Sequence, residues 1–403
     1  MRVLLIGSGG VGGAIAAIAA RRSFVDLLVV ADVDLMRAQA VVVGVAEGGL
    51  KAVAEQLDAS SAVAVEEVAR RHRIDAVVNA CDPRFNPPIF EAAFRSGCMY
   101  LDMAMNLSEP HPTEPYARIG KALGEDQVSV HDAWDAKGQL ALVAMGVEPG
   151  LSDVFARFAD DHLFSTIDEI GVRDGGNLQI EGYAFAPTFS IWTTIEECLN
   201  PPIVYERDRG WFTTEPFSEP EVFDFPEGIG PIECVNVEHE EVLLIPKRVD
   251  VGRVAFKYGL GQEFIDVLRT IHMIGLDATK KIKVGDQLVS PRDVVAAALP
   301  DPAQLGHLMH GKTCAGTRVQ GLGVDGRPRD TYLYHVVDNA DTMRDYGCQA
   351  VVWQTGVNPV IALELLANGQ WIGSGVHGPE MFDAVPFLNL LAEYGFPHRV
   401  REN

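Results

Sequence analysis

Five glycines stand within seven residues directly after the first apolar run of the chain: Arg2-Val-Leu-Leu-Ile6 leads into Gly7-Ser-Gly9-Gly10-Val11-Gly12-Gly13. An apolar stretch of helical character, Ala14 to Ala20, follows at once. A strand, a glycine-rich turn and a helix in this order suit one task. Gly7 permits the tight turn, Gly9 lets the backbone approach a pyrophosphate, and Gly12 allows the helix to pack closely on the strand. The helix N-terminus adds unpaired N–H groups and a positive dipole end. Gly7, Gly9, Gly10, Val11 and Gly12 are therefore the expected contacts of a nicotinamide or flavin dinucleotide.

Glycines alone are a weak signal, so the second half of the pattern matters. Leu27-Leu-Val-Val-Ala31 is a continuous apolar run ending in Asp32, 20 residues past Gly12. Asp32 is expected at the adenosine ribose, where a carboxylate accepts hydrogen bonds from the 2′- and 3′-hydroxyls and repels a 2′-phosphate. That favours NAD. NADP stays open, because Arg37 lies about one helical turn later and could reach a phosphate. The bland alternative is a turn that binds nothing, and it requires strand, glycines, helix and acid to coincide by chance.

Composition restricts the partners. With 403 residues, 47% of them hydrophobic and 22% charged, the chain can bury a large core and fill two domains. The formal charge of −23 disfavours nucleic acid and anionic membrane. It suits a cationic amine substrate and surface solubility equally. Cys81, Cys98, Cys198, Cys234, Cys314 and Cys348 are scattered without a C-x-x-C pair, which argues against a zinc site and a disulfide framework. The apolar start is broken by glycines, is followed by Arg21-Arg22 and carries no cleavage site, so no signal peptide and no membrane span are expected. The cytoplasm is the expected location.

Further along, Ala62 to Arg71 reads as helix and Ala76 to Cys81 as a buried strand. Asp82-Pro83-Arg-Phe-Asn86-Pro-Pro88 breaks regular structure before a helix, Ile89 to Ser96, and Gly97 ends that helix ahead of the strand Met99 to Asp102. This alternation implies an α/β fold with a Rossmann-type doubly wound parallel sheet. Ligands of such sheets lie beyond the carboxyl ends of the strands. Ala80, Cys81 and Asp82 are thus expected at the cofactor, and Asp102 near the nicotinamide.

The next strand, Gln139 to Met145, delivers Gly146-Val-Glu148-Pro149-Gly150-Leu-Ser-Asp153 into a helix, Val154 to Phe158. Here the chain resembles the saccharopine dehydrogenase/reductase family, with G-V-E-P-G for its G-L-D-P-G turn. Arg173-Asp174-Gly-Gly-Asn-Leu178 is similar to the family's C-G-G-L-P segment, Asp174 replacing the cysteine. Gly182-Tyr183, Phe189-Ser-Ile-Trp192 and Asn200-Pro-Pro202 resemble its G-Y-x-F-x-W-S and N-P-A stretches. Gln349 to Leu366 and Gly375-Val-His-Gly-Pro-Glu380 are similar to the ending of the lysine 6-dehydrogenase and carboxynorspermidine dehydrogenase relatives. The resemblance covers nearly the whole chain. It implies hydride transfer between a nicotinamide and a C–N bond, a homodimer, and C-terminal helices that return to the nucleotide domain.

The residues must also make chemical sense. Glu148 and Asp102, at ends of successive strands, could bind a substrate ammonium and move protons. Glu148 could instead only cap the helix beginning near Leu151. In Glu238-His239-Glu240-Glu241, strand geometry would point His239 and Glu241 away from Glu238 and Glu240, so no single metal cage is expected. The resemblance places His239 or Glu240 at the substrate, whereas a polar edge strand is the bland alternative. Arg173 could clamp a substrate carboxylate or serve as a surface ion pair. Arg173, Asp174, Trp192 and His239 form the expected cleft wall. His307 and His310, three apart, lack a nearby carboxylate and are not expected to hold a metal.

Residues 1–150 and 340–403 are accordingly expected to form a discontinuous nucleotide domain. Residues 151–339 would form a substrate-binding and dimerisation domain of α+β type with a mixed or antiparallel sheet. Glu263 to Ile274 and Pro291 to Ala298 read as helices, Trp192 to Phe225 as loop and strand, and Val324-Asp-Gly326-Arg as a hairpin turn between strands Thr317 to Leu322 and Asp330 to Val337. The activity expected is an NAD(P)-dependent oxidoreductase acting on the C–N bond of an amino acid or carboxylated polyamine. Saccharopine-like opines, lysine and carboxynorspermidine-type precursors stay open as substrates. Two alternatives are a homospermidine-synthase-like transferase that keeps NAD as a prosthetic group and a non-catalytic nucleotide sensor. Asp174 and the longer Glu148 argue against saccharopine reductase itself.

Overall fold

The computed structural model describes residues 1–46 and 48–403. The parallel strands of the first sheet are β1 (Arg2–Ile6), β2 (Leu27–Asp32), β3 (Ala52–Gln56), β4 (Ala76–Asn79), β5 (Met99–Asp102) and β6 (Leu140–Leu142); the apolar runs among them are buried on both faces, whereas β3, at the edge, is only partly buried. A seventh strand, Gly375–His377, arrives from the far end of the chain and pairs with β6. From that edge the order is Gly375–His377, β6, β5, β4, β1, β2, β3. β1 therefore lies between β4 and β2, where the winding reverses. The crevice at such a switch point is where doubly wound sheets bind nucleotides.

Helix α1 (Gly10–Ala19) follows β1 and packs against the helix Ala350–Ala367. That second helix is long and apolar enough to cross a membrane, yet 83% of it is buried inside the fold. Its one acid near the end, Glu364, pairs with Arg22 at 2.6 Å. It is a core helix covering the sheet, as its all-round apolar surface requires.

The second sheet is mixed and has nine strands. At its centre β7 (Phe164–Gly176) runs parallel to Val251–Gly259 and antiparallel to Lys312–Gly323. Lys312–Gly323 forms a hairpin with Pro328–Asp338, and Gly326, at φ +77°, supplies the turn. The last strand, Arg399–Glu402, pairs with Pro328–Asp338. The C-terminal segment thus serves both sheets, which differs from a simple return of residues 340–403 to the nucleotide domain.

Two local expectations are corrected. The Trp192–Phe225 span contains a helix, Ile191–Leu199, started by Ser190, whose hydroxyl accepts from the Thr193 N–H at 3.3 Å. Ile191, Trp192, Ile195 and Cys198 bury one face of it, the spacing of a helix rather than a strand. The second correction concerns Glu238–Glu241. The strand Gly230–Asn236 ends before it, and a short helix begins at Glu241. The alternation argument for these side chains therefore does not apply.

Candidate active site

The glycine turn forms as a cradle. Gly7 has φ +97°, and a Cβ there would lie 2.6 Å from the Ala80 carbonyl oxygen. A Cβ on Gly12 would collide with the Gly7 carbonyl, so only glycine lets α1 sit this close to β1. Gly9 faces open space and stands as N-cap of α1 without any side-chain cap. The free N–H groups of the first turn are thus available to an anion. Asp32 ends β2 beside this cradle. Its Oδ2 accepts from the Ser8 N–H at 2.9 Å and hydroxyl at 2.7 Å, and its Oδ1 from the Asp34 N–H at 2.9 Å. Partial burial opposes ionisation, but these donors outweigh it and hold the carboxyl below its usual range. The residues present fit a dinucleotide.

A cavity of about 730 Å³ opens from the cradle toward the second sheet. Gly9, Gly10, Val11, Ala80, Cys81 and Asp82 line its nucleotide side. Glu148, Asp174, Trp192, Glu197, His239 and Tyr258 line the other. Cys81 is a quiet wall there, since burial pushes its thiol up to about 12. Asp82 holds Arg84, whose Nε lies at 2.8 Å.

Glu148 reaches the cavity through the turn that follows β6. Gly150, at φ +132°, lets the turn close against Gly146, where a Cβ would clash. The helix Leu151–His162 is capped by Asp153, whose Oδ2 accepts the Gly150 N–H at 2.9 Å. Glu148 is therefore free of capping duty, and its Oε2 is buried without a hydrogen-bond partner among the described residues. Burial, then the charge of Asp174, hold the Glu148 carboxyl well above its ordinary range. Asp174 is pushed up to about 6 by burial, its pairing with Glu148 pulling the other way. Two carboxyls so placed share one proton.

His239 is buried, stacked on Phe256 with ring centroids 3.8 Å apart. Its Nδ1 lies 2.7 Å from Glu241 and 3.5 Å from Glu240. Burial disfavours the imidazolium, but Glu241 and then Glu240 overcome it and raise the ring to about 10. Glu241 in turn accepts from Ser152 at 2.7 Å, and Glu240 from the Met105 N–H at 2.9 Å. His239, Glu240 and Glu241 thus gather their ligand-type atoms within 4.8 Å, contrary to the divergence expected of a strand. Glu238 turns away to Ser108 and Asn200, at 2.8 and 3.0 Å.

Arg173 and Asp102, both expected at the substrate, lie outside the cavity; Gly7, Gly12, Asp32 and Glu240 are likewise absent from its lining. Arg173 precedes Asp174 on β7, and alternation sends their side chains to opposite faces of the sheet. Arg173 is 3% exposed, pairs with Glu221 and donates to the Val172 carbonyl at 2.8 Å, so it is not placed to clamp a substrate in the cavity. Asp102 is also buried away from the lining. It accepts from Ala144 N–H and Gln127, both at 2.7 Å, and ties the end of β5 to the segment after β6. Trp192 does line the cavity, with the Arg84 and Arg292 guanidinium groups 4.2 and 4.7 Å from its ring centroid and its Nε1 donating to Asp293 at 3.2 Å.

Glu197 and Tyr258 were not legible as site residues. Glu197 lies on the helix read as loop, where the Glu196-Glu197 pair in an apolar run was the available signal. Burial raises it to about 8. Tyr258 stands beside Asp174 in the register of parallel strands, a pairing that joins residues 84 apart in sequence.

A glycine cradle for a dinucleotide, opening onto a carboxyl-rich cavity with an imidazole, defines an NAD(P)-dependent dehydrogenase. The chain belongs to the saccharopine dehydrogenase family: residues 3–142 match its NADP binding domain and residues 146–396 its C-terminal domain. It is 28% identical to the carboxynorspermidine synthase of Vibrio cholerae serotype O1 over 410 residues, covering 100% of this chain and 97% of that one. It is also 28% identical to the carboxyaminopropylagmatine dehydrogenase of Synechocystis sp., covering 98% and 96% of the two chains. The fold is similar to that of apo saccharopine dehydrogenase (L-Glu forming) from Saccharomyces cerevisiae, with a TM-score of 0.69 at 15% identity over 100% of this chain and 99% of that one.

Proposed function

We propose that the chain interconverts an imine and a secondary amine in a carboxylated polyamine, with NAD as the preferred dinucleotide. The observation that carries this reading is the wall of Glu148, Asp174 and Glu197 facing the cradle across one cavity. Protonated amines are the natural guests of such a wall, and the names of the two relatives point to the same chemical class. When bound, the nicotinamide accepts or donates the hydride.

The residues of the chain supply the rest. The Glu148–Asp174 pair holds one proton and can take it from, or return it to, the reacting nitrogen. Glu197 offers a second carboxyl for a distal ammonium. His239, kept charged by Glu241 and Glu240, stands where a substrate carboxylate could be held, a role that Arg173 cannot fill from the far face of β7. Trp192, braced by two guanidinium groups, shapes the wall.

The test is to incubate the purified protein with NAD or NADP and, separately, carboxynorspermidine, saccharopine, lysine and simple diamines, following absorbance of the reduced nicotinamide. Carboxynorspermidine should be turned over best, with net release of NADH. Faster turnover of saccharopine or lysine would overturn the substrate class. Product formation without net change in the dinucleotide would point instead to a transferase that retains NAD.

A further inference from the structure

A second, smaller cavity of about 200 Å³ lies beyond the carboxyl ends of β6 and the strand Gly375–His377. It shares no lining residue with the large cavity. Strand carboxyl ends are where parallel sheets bind ligands, and the size suits a compact molecule, below the ~300–1,000 Å³ of pockets for drug-sized ligands. The segment Leu244–Arg248 of the second domain forms one side.

One wall holds Glu380, 2% exposed, whose Oε2 has no hydrogen-bond partner among the described residues. Gly378 makes room for that oxygen, since a Cβ there would collide with it. A buried carboxylate oxygen left unpaired is costly and calls for a donor. Facing it are Lys247 and Arg248, with the imidazoles of His131 and His377 edge-on at 4.8 Å between ring centroids. Among the described residues neither Lys247 nor Arg248 has a carboxylate oxygen within 4.0 Å. Among those residues the Arg248 side chain reaches only the His377 Nδ1, at 3.4 Å. In a chain of net charge −23, two cations without a carboxylate partner beside one buried acid are a local exception.

A lone anion would meet Glu380 here, and a lone cation would meet Lys247 and Arg248. A molecule carrying both charges satisfies both. We propose that this cavity is a binding site for a small amino acid, its ammonium on Glu380, its carboxylate on Lys247 and Arg248, and its apolar body against Val143, Leu244 and Val376. The inference does not rest on the reading of the large cavity.

The experiment is calorimetric titration of the full chain, saturated with NAD or NADP, using L-alanine, L-valine and γ-aminobutyrate as probes. Propionate and propylamine serve as half-ligand controls. At least one amino acid should bind, and propionate and propylamine at least about tenfold more weakly, the scale of a lost charge-assisted hydrogen bond. The double variant Lys247→Ala/Arg248→Ala changes two exposed positions and should weaken that binding by about tenfold or more while leaving nucleotide binding unchanged. Failure of every amino acid probe, equal binding of a half-ligand, or binding that survives in the double variant would overturn the proposal.

Discussion

Glu148 and Asp174 carry the sharpest expectations at the residue scale. Glu148→Gln should preserve the fold and nucleotide binding while lowering turnover by about 10²-fold, the usual scale for a positioned proton-transfer group. Asp174 is raised to about 6, so the singly protonated pair is lost to full protonation as pH falls through that value. Turnover should fall on the acid side of about pH 6, and Asp174→Asn should remove that limb. A flat acid limb in the wild type, measured under saturating substrate, would place proton transfer elsewhere. Asp32 bears on cofactor choice. A carboxylate offers about four lone-pair sites, and three are taken by Ser8 and Asp34. The remaining one suits a ribose hydroxyl, while the negative charge repels a 2′-phosphate. NAD should therefore bind more tightly than NADP, by roughly 1–3 kcal/mol, and Asp32→Ala should narrow the gap in parallel titrations. Arg173→Ala should lower thermal stability, by roughly 1–3 kcal/mol for a lost charged hydrogen bond. It should leave substrate KM unchanged, because its guanidinium serves Glu221 on the far face.

Helix starts decide the site at the scale of elements. α1 can approach β1 only because Gly12 has no side chain, so Gly12→Ala should force the two apart. Overpacking of this kind costs typically ~1–3 kcal/mol, and nucleotide titration should show a loss greater than the loss in stability. The helix Leu151–His162 depends on Asp153, and Asp153→Ala should cost about 1 kcal/mol of stability, the common value for a lost cap. Glu148→Gln, one turn upstream, should not show that loss in a melting curve. This contrast separates the proton-transfer role of Glu148 from the capping role that the sequence also allowed it and that Asp153 fills.

The whole molecule concentrates raised carboxyls. Burial is the leading cause for Asp174, Glu238, Glu380 and Glu197, raised to about 6, 7, 7 and 8. An unfolded chain releases these protons near pH ~4, whereas the folded chain keeps them higher. Their contribution to stability is complete below the unfolded values and is lost as pH rises through about 6 to 8. His239, raised to about 10, loses its share mostly above that window. The melting temperature of the ligand-free protein should thus fall as pH rises from about 5 to about 8. A triamine such as norspermidine should restore more stability at the alkaline end. A melting temperature that climbs over the same interval, in a scan at constant ionic strength, would contradict the buried acidic cluster.

What could be read along the chain was whatever is encoded in local order. The strand, the five glycines, α1, and the acid closing β2 lie within 32 residues, and each is dictated by backbone sterics or by a short-range pattern. The ordered motifs around Glu148, Asp174 and Gly375 likewise marked the family. Tertiary structure decided the rest, because a side chain's direction depends on the element that carries it and on its neighbours. Alternation along β7 gave Asp174 to the cavity and Arg173 to Glu221. The end of the strand before Glu238 let His239, Glu240 and Glu241 converge. Glu197 and Tyr258 joined the wall only when a helix and a parallel strand, distant in sequence, packed beside the turn that presents Glu148.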